Sequence, residues 1–260
     1  MPVPTDAPAS YAVVARNLDP AADNRIHDDD VARAFGFTGA LVPGVEVFAH
    51  ATSPLVAAWG TGFFDGGCVA LRFRRPVYDG ETVVVTAEPR ADGLGLAVTG
   101  PDAVVRAVGT AHPPAPGPPV DLGRYPAATL PLPRPADPRP GPFGTVEVPG
   151  DPLAALDYLA AVGDPVALYR DAGLLHPGLL LRLVNLALMD NVELGPWIHT
   201  SSACRFLSLP SASSAASVRS VVTGTARRGA HDEVTYDAVV LLEDRPVLEV
   251  TSTALYRLGR

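Results

Sequence analysis

The sequence contains no lysine, because all 20 of its basic residues are arginine. This absence excludes mechanisms that form a Schiff base or use a lysine nucleophile. Cysteine is also scarce: Cys68 and Cys204 are the only two, and they lie in apolar, strand-like segments without metal-ligand spacing. We therefore expect both to be reduced thiols of the core, and we expect no metal site.

Long apolar runs and positive charge are missing as well. No run approaches the roughly 20 apolar residues of a membrane-spanning helix, and the first residues lack the charged-then-apolar pattern of a secretory signal. The net charge of −8 opposes nucleic-acid binding, which favours a basic surface. Since 47% of the residues are hydrophobic and 18% charged, we expect a folded cytoplasmic protein without a membrane or nucleic-acid partner.

Proline, by contrast, is abundant, with 28 residues, and it divides the chain. Residues 113–149 hold a dense series of prolines, each of which fixes φ and removes an amide donor. We therefore predict an extended connector here, without a helix or a central strand. The flanking blocks, residues 1–112 and 150–260, are about equal in length.

The two flanking blocks look like copies of one unit. A duplicated half-length unit usually packs as a pseudo-dimer, in which each copy buries what the other would expose. Four residues of the first block recur at the same spacing in the second: Gly39, Leu41, Pro43 and Gly44 correspond to Gly173, Leu175, Pro177 and Gly178.

In each block a helix is predicted after the Pro-Gly pair, followed by strands. Apolar residues recur at helical spacing between 45 and 59, where Pro54 is predicted to kink or restart the helix. Residues 179–192 are apolar almost all round, as in a helix enclosed by a sheet. We predict an α+β fold in which an antiparallel sheet wraps one buried helix, twice over. The predicted strands are 68–73, 81–87, 94–99, 104–108, 217–226, 233–243 and 246–256.

An imidazole and several carboxylates share one loop ahead of the first Pro-Gly pair. Because an imidazole exchanges protons near neutral pH, His27 is the first candidate for acid-base chemistry. Asp23 is a candidate for positioning a water molecule. The alternatives are a loop histidine bonded to Asp28, and a solvated or capping role for Asp23. The acids at 28–30 are predicted to cap and charge a short helix over residues 31–35.

Backbone amides at the start of the first central helix form a second candidate group. Gly44 and Val45 would offer unpaired N–H donors, with the helix dipole behind them, to a carbonyl that gains negative charge. The alternative is that Gly44 only allows a close approach of helix and strand.

Further polar residues have two interpretations each. Arg72, Arg74 and Arg75 either bind the phosphates of a coenzyme A or carrier-protein pantetheine arm or form surface ion pairs. His176 either joins the first-block site across the pseudo-twofold or caps its own helix. Asn185 and His199 belong to the same polar set of the second block, and buried groups of this kind more often satisfy the backbone.

The first-block motifs resemble a known family. Residues 24–30, 34–37 and 41–44 are similar to the hydratase signature of MaoC-like dehydratases, the (R)-specific enoyl-thioester hydratases of the hotdog fold. Residues 72–81 look like that family's strand with a Pro-hydrophobic-x-x-Gly-Glu pattern. The family's catalytic aspartate lies five positions before the histidine, where this chain has Ala22, so Asp23 is the nearest acid.

The resemblance implies a double hotdog, with residues 1–112 as the active repeat and 150–260 as a degenerate one. It also implies a lyase that hydrates an enoyl thioester, or dehydrates a 3-hydroxyacyl thioester, on coenzyme A or a carrier protein and without a cofactor. A homodimer is possible. The alternatives are a hotdog thioesterase and a hotdog protein for ligand binding, cyclisation or isomerisation. The implied catalytic residues are Asp23 and His27, and the implied substrate-binding residues are Asn24, Gly44, Val45, Arg72 and His176.

Overall fold

The structure, a computed structural model, describes residues 10–18 and 24–259. The first repeat contains β1 (Tyr11–Val14), α1 (Asp29–Ala34), α2 (Gly44–Trp59), β2 (Cys68–Phe73), β3 (Thr82–Arg90), β4 (Gly93–Thr99) and β5 (Val105–His112). The connector contributes β6 (Gly141–Pro142) and β7 (Val146–Val148). The second repeat contains α3 (Pro152–Val162), α4 (Leu168–Asp171), α5 (Pro177–Asn191), β8 (Ile198–Phe206), β9 (Ala216–Arg228), β10 (His231–Leu242) and β11 (Arg245–Arg257).

The strands of the described residues form one antiparallel sheet of eleven members. Its main path is β1-β3-β4-β5-β2-β8-β11-β10-β9-β6, and β7 pairs with β9. The repeats therefore join edge to edge through β2 and β8, where Val69 pairs with Cys204 and Arg72 with Ser201. This continuous pairing removes two sheet edges that separate repeats would expose.

The two central helices pack against each other and against the sheet. A side chain at Gly178 would collide with Ala49, so α5 approaches α2 closely at this point. Farther along α5, the Arg182 Nε donates to Glu46 Oε1 at 2.6 Å. Gly178 of α5 thus lies at Ala49, and the later Arg182 lies at Glu46, an earlier residue of α2, so the two helices run antiparallel. The later part of α5 therefore extends beyond the start of α2. The predicted helix-in-sheet architecture, present twice, is confirmed.

The predicted restart of the helix at Pro54 is wrong, because α2 runs through this residue without interruption, and a kink there stays a prediction. Proline at this position removes the amide that would bond the carbonyl of His50, four residues earlier. The Tyr11 hydroxyl of β1 supplies the missing donor, at 2.6 Å from the His50 oxygen. A neighbouring strand thus satisfies the carbonyl that the proline leaves open.

The predicted strands are present, with boundaries shifted by a few residues. The short helix expected at 31–35 is α1, which begins earlier, and the Asp28 side chain caps it by accepting from Asp30 and Val31, as predicted. The strand β1 and the helices α3 and α4 were not predicted from the sequence, and β8 was indicated only as a strand-like segment around Cys204. Residues 113–149 carry a three-residue turn of 3-10 helix and the edge strands β6 and β7. The exact division into repeats and connector stays a prediction.

Replacing Tyr11 by Phe should lower the free energy of unfolding by about 1 kcal/mol, because the His50 carbonyl then has no donor. The same replacement in a Pro54→Ala background should cost less, since residue 54 now has an amide for that carbonyl. Chemical denaturation of the four proteins in this double-mutant cycle measures the difference. Equal costs in both backgrounds would contradict the proposed link.

Candidate active site

A cavity of about 570 Å³ lies between the repeats and is lined by residues from both. Four residues of the sequence-based site lie in its wall: Asn24, His27, Gly44 and Val45. The helix α5 contributes a mostly apolar wall, and the segment leading into β8 closes the opposite side. The lining residues of these second-repeat segments include Leu179, Arg182, Leu183, Asn185, Leu186, Met189, Trp197, Ile198, His199 and Thr200.

The amino end of α2 opens into this cavity without a cap. Pro43 precedes the helix and offers no side-chain hydrogen bond. The backbone amides of Gly44 and Val45 donate to no described residue, although Val45 is only 2% exposed. Unpaired amides at a helix start bind anionic or polarised oxygens well, because the helix dipole adds to their own partial charge.

His27 ends a turn of 3-10 helix, Arg25–His27, and lines the same cavity. Its Nδ1 lies 2.7 Å from the carbonyl oxygen of Leu41. Because a carbonyl only accepts, Nδ1 carries the proton in the neutral ring, and Nε2 is the basic nitrogen. The Leu41 carbonyl therefore fixes both the tautomer and the orientation of the imidazole.

Asn24 holds this turn against the second repeat. Its Nδ2 donates to the Trp197 carbonyl at 3.0 Å and lies 3.2 Å from His27 Nε2, while its Oδ1 accepts from the Trp197 amide at 3.1 Å. Asn24 is 5% exposed. With its donors and acceptor engaged in this way, Asn24 positions His27. The geometry does not support the substrate-binding role that was predicted for Asn24.

The corresponding helix start in the second repeat is closed. His176 Nδ1 accepts from the Gly178 amide at 3.0 Å, and its Nε2 lies 2.9 Å from Asp164 Oδ2. The Tyr158 hydroxyl sits where a side chain at Gly178 would be. His176 is fully buried and does not line the cavity. The predicted substrate-binding role of His176 is therefore replaced by its alternative, a helix cap.

The arginine in β2 and the two arginines just after this strand do not all lie where the prediction placed them. Arg72 is exposed and lies outside the cavity lining, whereas Arg74 and Arg75 belong to it. Arg74 and Arg75 both donate their backbone amides to the Arg106 carbonyl. Their side chains form no ion pair with a described residue. The strand ends at Phe73, so the alternation that would place Arg72 and Arg74 on one face stops there.

The comparisons with known proteins can be set beside this geometry. No family model and no curated protein matches the sequence. A protein assigned to the MaoC domain dehydratases of Chloroflexus aurantiacus superposes with a TM-score of 0.64 at 12% identity, covering 97% of this chain and 95% of that one. A conserved protein of Mycobacterium tuberculosis, described as a double hotdog, gives 0.64 at 16% identity and 96% coverage of both.

The chain has the double hotdog fold. The resemblance to MaoC-like proteins is thereby confirmed for the fold. A protein from Novosphingobium aromaticivorans that is assigned as a thioesterase also matches, with a TM-score of 0.53, 14% identity and 98% coverage of both chains. Fold similarity at this identity does not select between dehydration and thioester hydrolysis. Among the described residues of the double hotdog, no helix is long and apolar enough to span a membrane.

The carboxylate predicted to assist His27, Asp23, lies outside the described residues. Among the described lining residues the only carboxylate is Asp151, which caps α3 by accepting from the amides of Leu153 and Ala154. The partner acid of His27 thus stays a prediction.

Two polar side chains of the second repeat, which the sequence indicated only weakly, lie in the wall of the cavity. Asn185 and His199 line the cavity, and each has one buried atom, Asn185 Oδ1 and His199 Nδ1, without a hydrogen-bond partner among the described residues. Both atoms are buried acceptors on residues that line the cavity. Their sequence signal was only a polar residue inside an apolar segment.

Replacing Asn24 by Ala should lower the free energy of unfolding by about 2 kcal/mol, because the buried backbone of Trp197 loses its partners. Asn185→Ala is the matched control, since it removes an amide from the same cavity without breaking a hydrogen bond between described residues and favours the helix. Urea denaturation of the two variants checks the contrast. Equal losses would mean that the bonds of Asn24 do not hold the repeats together.

Proposed function

We propose that this double hotdog is a hydratase-dehydratase for an enoyl or 3-hydroxyacyl thioester. One observation carries the proposal: the basic nitrogen of His27 and the unpaired amides of Gly44 and Val45 share a cavity. The first supplies acid-base chemistry and the second stabilises charge on a carbonyl oxygen. These are the two requirements for adding water across a double bond conjugated to a thioester.

In the hydration direction, the amides of Gly44 and Val45 donate to the thioester carbonyl. The oxygen of a water molecule bonds to Cβ while the π electrons of the double bond move through Cα to the carbonyl oxygen, which becomes an enolate. His27 Nε2 gives up its contact with Asn24 Nδ2 and takes a proton from the water, and a proton then returns to Cα as the enolate collapses. Each amide donor typically contributes about 3 kcal/mol to such a transition state. We assign Asp23 the positioning of the water.

The second candidate is a hotdog thioesterase, which would need a carboxylate to direct water at the acyl carbon. The only described carboxylate in the lining, that of Asp151, is engaged with the amides of α3. Glu46, in the first turn of α2, is fully buried, and Arg182 pairs with its Oε1. Both of these carboxylates are engaged, so a thioesterase of this kind would have to use Asp23, the acid assigned above to the lyase, and the release of thiol distinguishes the two reactions.

Incubation with crotonyl-coenzyme A should give loss of enoyl absorbance without release of free thiol. His27→Ala should lower the rate of hydration by about 100- to 10,000-fold, the range typical for loss of general acid-base catalysis. Absorbance and a thiol reagent, read in parallel, separate the two reactions.

Thiol release by the unaltered protein would identify a thioesterase. The absence of any reaction with enoyl thioesters of several chain lengths would indicate a hotdog protein for ligand binding, cyclisation or isomerisation. Undiminished hydration by His27→Ala would remove this residue from the mechanism.

The positive charge of two arginines at the cavity indicates the kind of carrier that holds the acyl group. In a protein with a net charge of −8, Arg74 and Arg75 are exposed, reach the cavity lining and form no ion pair with a described residue. Unpaired guanidinium groups bind phosphate through charge-assisted hydrogen bonds. We propose that they hold the phosphates of coenzyme A, or the pantetheine phosphate of a carrier protein. A cytoplasmic location and a homodimer remain predictions.

The double replacement of Arg74 and Arg75 by Ala should raise the KM for a coenzyme A thioester by about 10-fold or more, since each bond to a charged group contributes at least about 1.5 kcal/mol. The KM for a phosphate-free pantetheine thioester should not change. Arg72→Ala is the matched control, because Arg72 is exposed on the preceding strand outside the cavity. A similar rise for Arg72→Ala would point to overall charge instead of a phosphate site.

A further inference from the structure

The strand β8 is irregular where it passes the cavity. Ser201 pairs with Thr253 of β11, but the next pair joins His199 to Ala254, so Thr200 is an extra residue on β8. A bulge of this kind shifts the alternation of side chains by one position and often re-aims a side chain beside an active site. Here it places His199 and Ser202 on the same buried face, although they are three residues apart.

The hydrogen bonds of His199 fix its tautomer. Nε2 lies 3.1 Å from the Ser201 carbonyl oxygen and 2.7 Å from Ser202 Oγ. Because the carbonyl only accepts, Nε2 carries the proton, and Nδ1 presents a lone pair. Ser202 Oγ is itself bonded to Ser252 Oγ at 2.8 Å, so the ring is anchored in a buried polar chain.

The surroundings of His199 keep the ring neutral. The side chain is buried, and burial lowers the pKa of His199 to about 4. Near neutral pH its Nδ1 is therefore an acceptor and does not carry a proton. This atom has no hydrogen-bond partner among the described residues. A buried acceptor without a partner costs free energy, which a donor on a bound molecule would recover.

This buried acceptor lies next to the amides proposed to bind the carbonyl. A Cβ placed on Gly44 would be 3.4 Å from His199 Nδ1 and 3.2 Å from Phe73. The ring of His199 packs edge-on against Phe73, with centroids 5.0 Å apart, which limits its rotation. A donor at the start of α2 and an acceptor from β8 thus stand side by side in one cavity.

We infer that His199 Nδ1 accepts a hydrogen bond from the 3-hydroxyl group of the substrate. The inference rests on the proposed function and adds a substrate contact from the second repeat. In a 3-hydroxyacyl thioester the carbonyl accepts and the hydroxyl donates, which matches the donors of Gly44 and Val45 and the acceptor of His199. Proton transfer stays with His27.

Two replacements of His199 separate a substrate contact from a structural role. In His199→Gln the side-chain amide can still reach the Ser201 carbonyl, but the acceptor at Nδ1 is lost. In His199→Asn the side-chain oxygen replaces Nδ1, but the contacts with Ser201 and Ser202 are lost. A structural role predicts that Asn is the more damaging change, whereas the substrate contact predicts that Gln is.

The experiment measures calorimetric binding of (R)-3-hydroxybutyryl-coenzyme A and of butyryl-coenzyme A, together with crotonyl-coenzyme A hydration. The unaltered protein should bind the hydroxyacyl ester about 10-fold more tightly than the saturated ester, the worth of one hydrogen bond in a buried site. His199→Gln should abolish this preference, keep the affinity for butyryl-coenzyme A and lower kcat by about 10-fold, the effect of one lost hydrogen bond. His199→Asn should retain most of the preference.

The unchanged affinity of a variant for butyryl-coenzyme A also shows that its cavity is folded. The inference is overturned, and the proposed function stands, if the unaltered protein hydrates the enoyl ester but His199→Gln keeps the hydroxyl preference, or if Asn is the more damaging change. If the unaltered protein neither hydrates nor prefers the hydroxyacyl ester, both the proposed function and the inference are overturned.

Discussion

The uncapped amino end of α2 is the constraint on which the site depends. A helix start leaves its first amides without partners, and a fold must satisfy them with side chains, water or a ligand. The same chain shows both solutions, because α5 receives His176 as its cap while α2 begins after Pro43 without one. The duplicated unit has therefore been closed in one copy and left open in the other, and the open copy is the one with His27 beside it.

The second repeat completes the open site although its own helix start is blocked. The bonds between Asn24 and the backbone of Trp197 cross from one repeat to the other and hold His27 in place. The ion pair of Glu46 and Arg182 joins the two helices two residues after Gly44. A single repeat would expose these groups and lose one wall of the cavity.

The sequence predicted those parts of the molecule that short-range patterns determine. Alternating strands, an apolar helix after each Pro-Gly pair and the motif around His27 were all visible within short windows. Contacts across the repeats have no such pattern. The sequence could not show that Tyr11 would satisfy the carbonyl left by Pro54, nor that a bulge at Thr200 would turn His199 inward, because both depend on which strands become neighbours.

The two histidines of the cavity differ in the way their chemistry requires. His27 is partly exposed, and the Leu41 carbonyl fixes its proton on Nδ1, so that Nε2 can take up and return a proton. His199 is buried and neutral, with the proton on Nε2, and can only accept at Nδ1. Environment therefore gives one residue type two roles. In the proposed reaction the dipole of α2 would stabilise enolate charge at Gly44, and the one carboxylate of the described lining, that of Asp151, is engaged at α3.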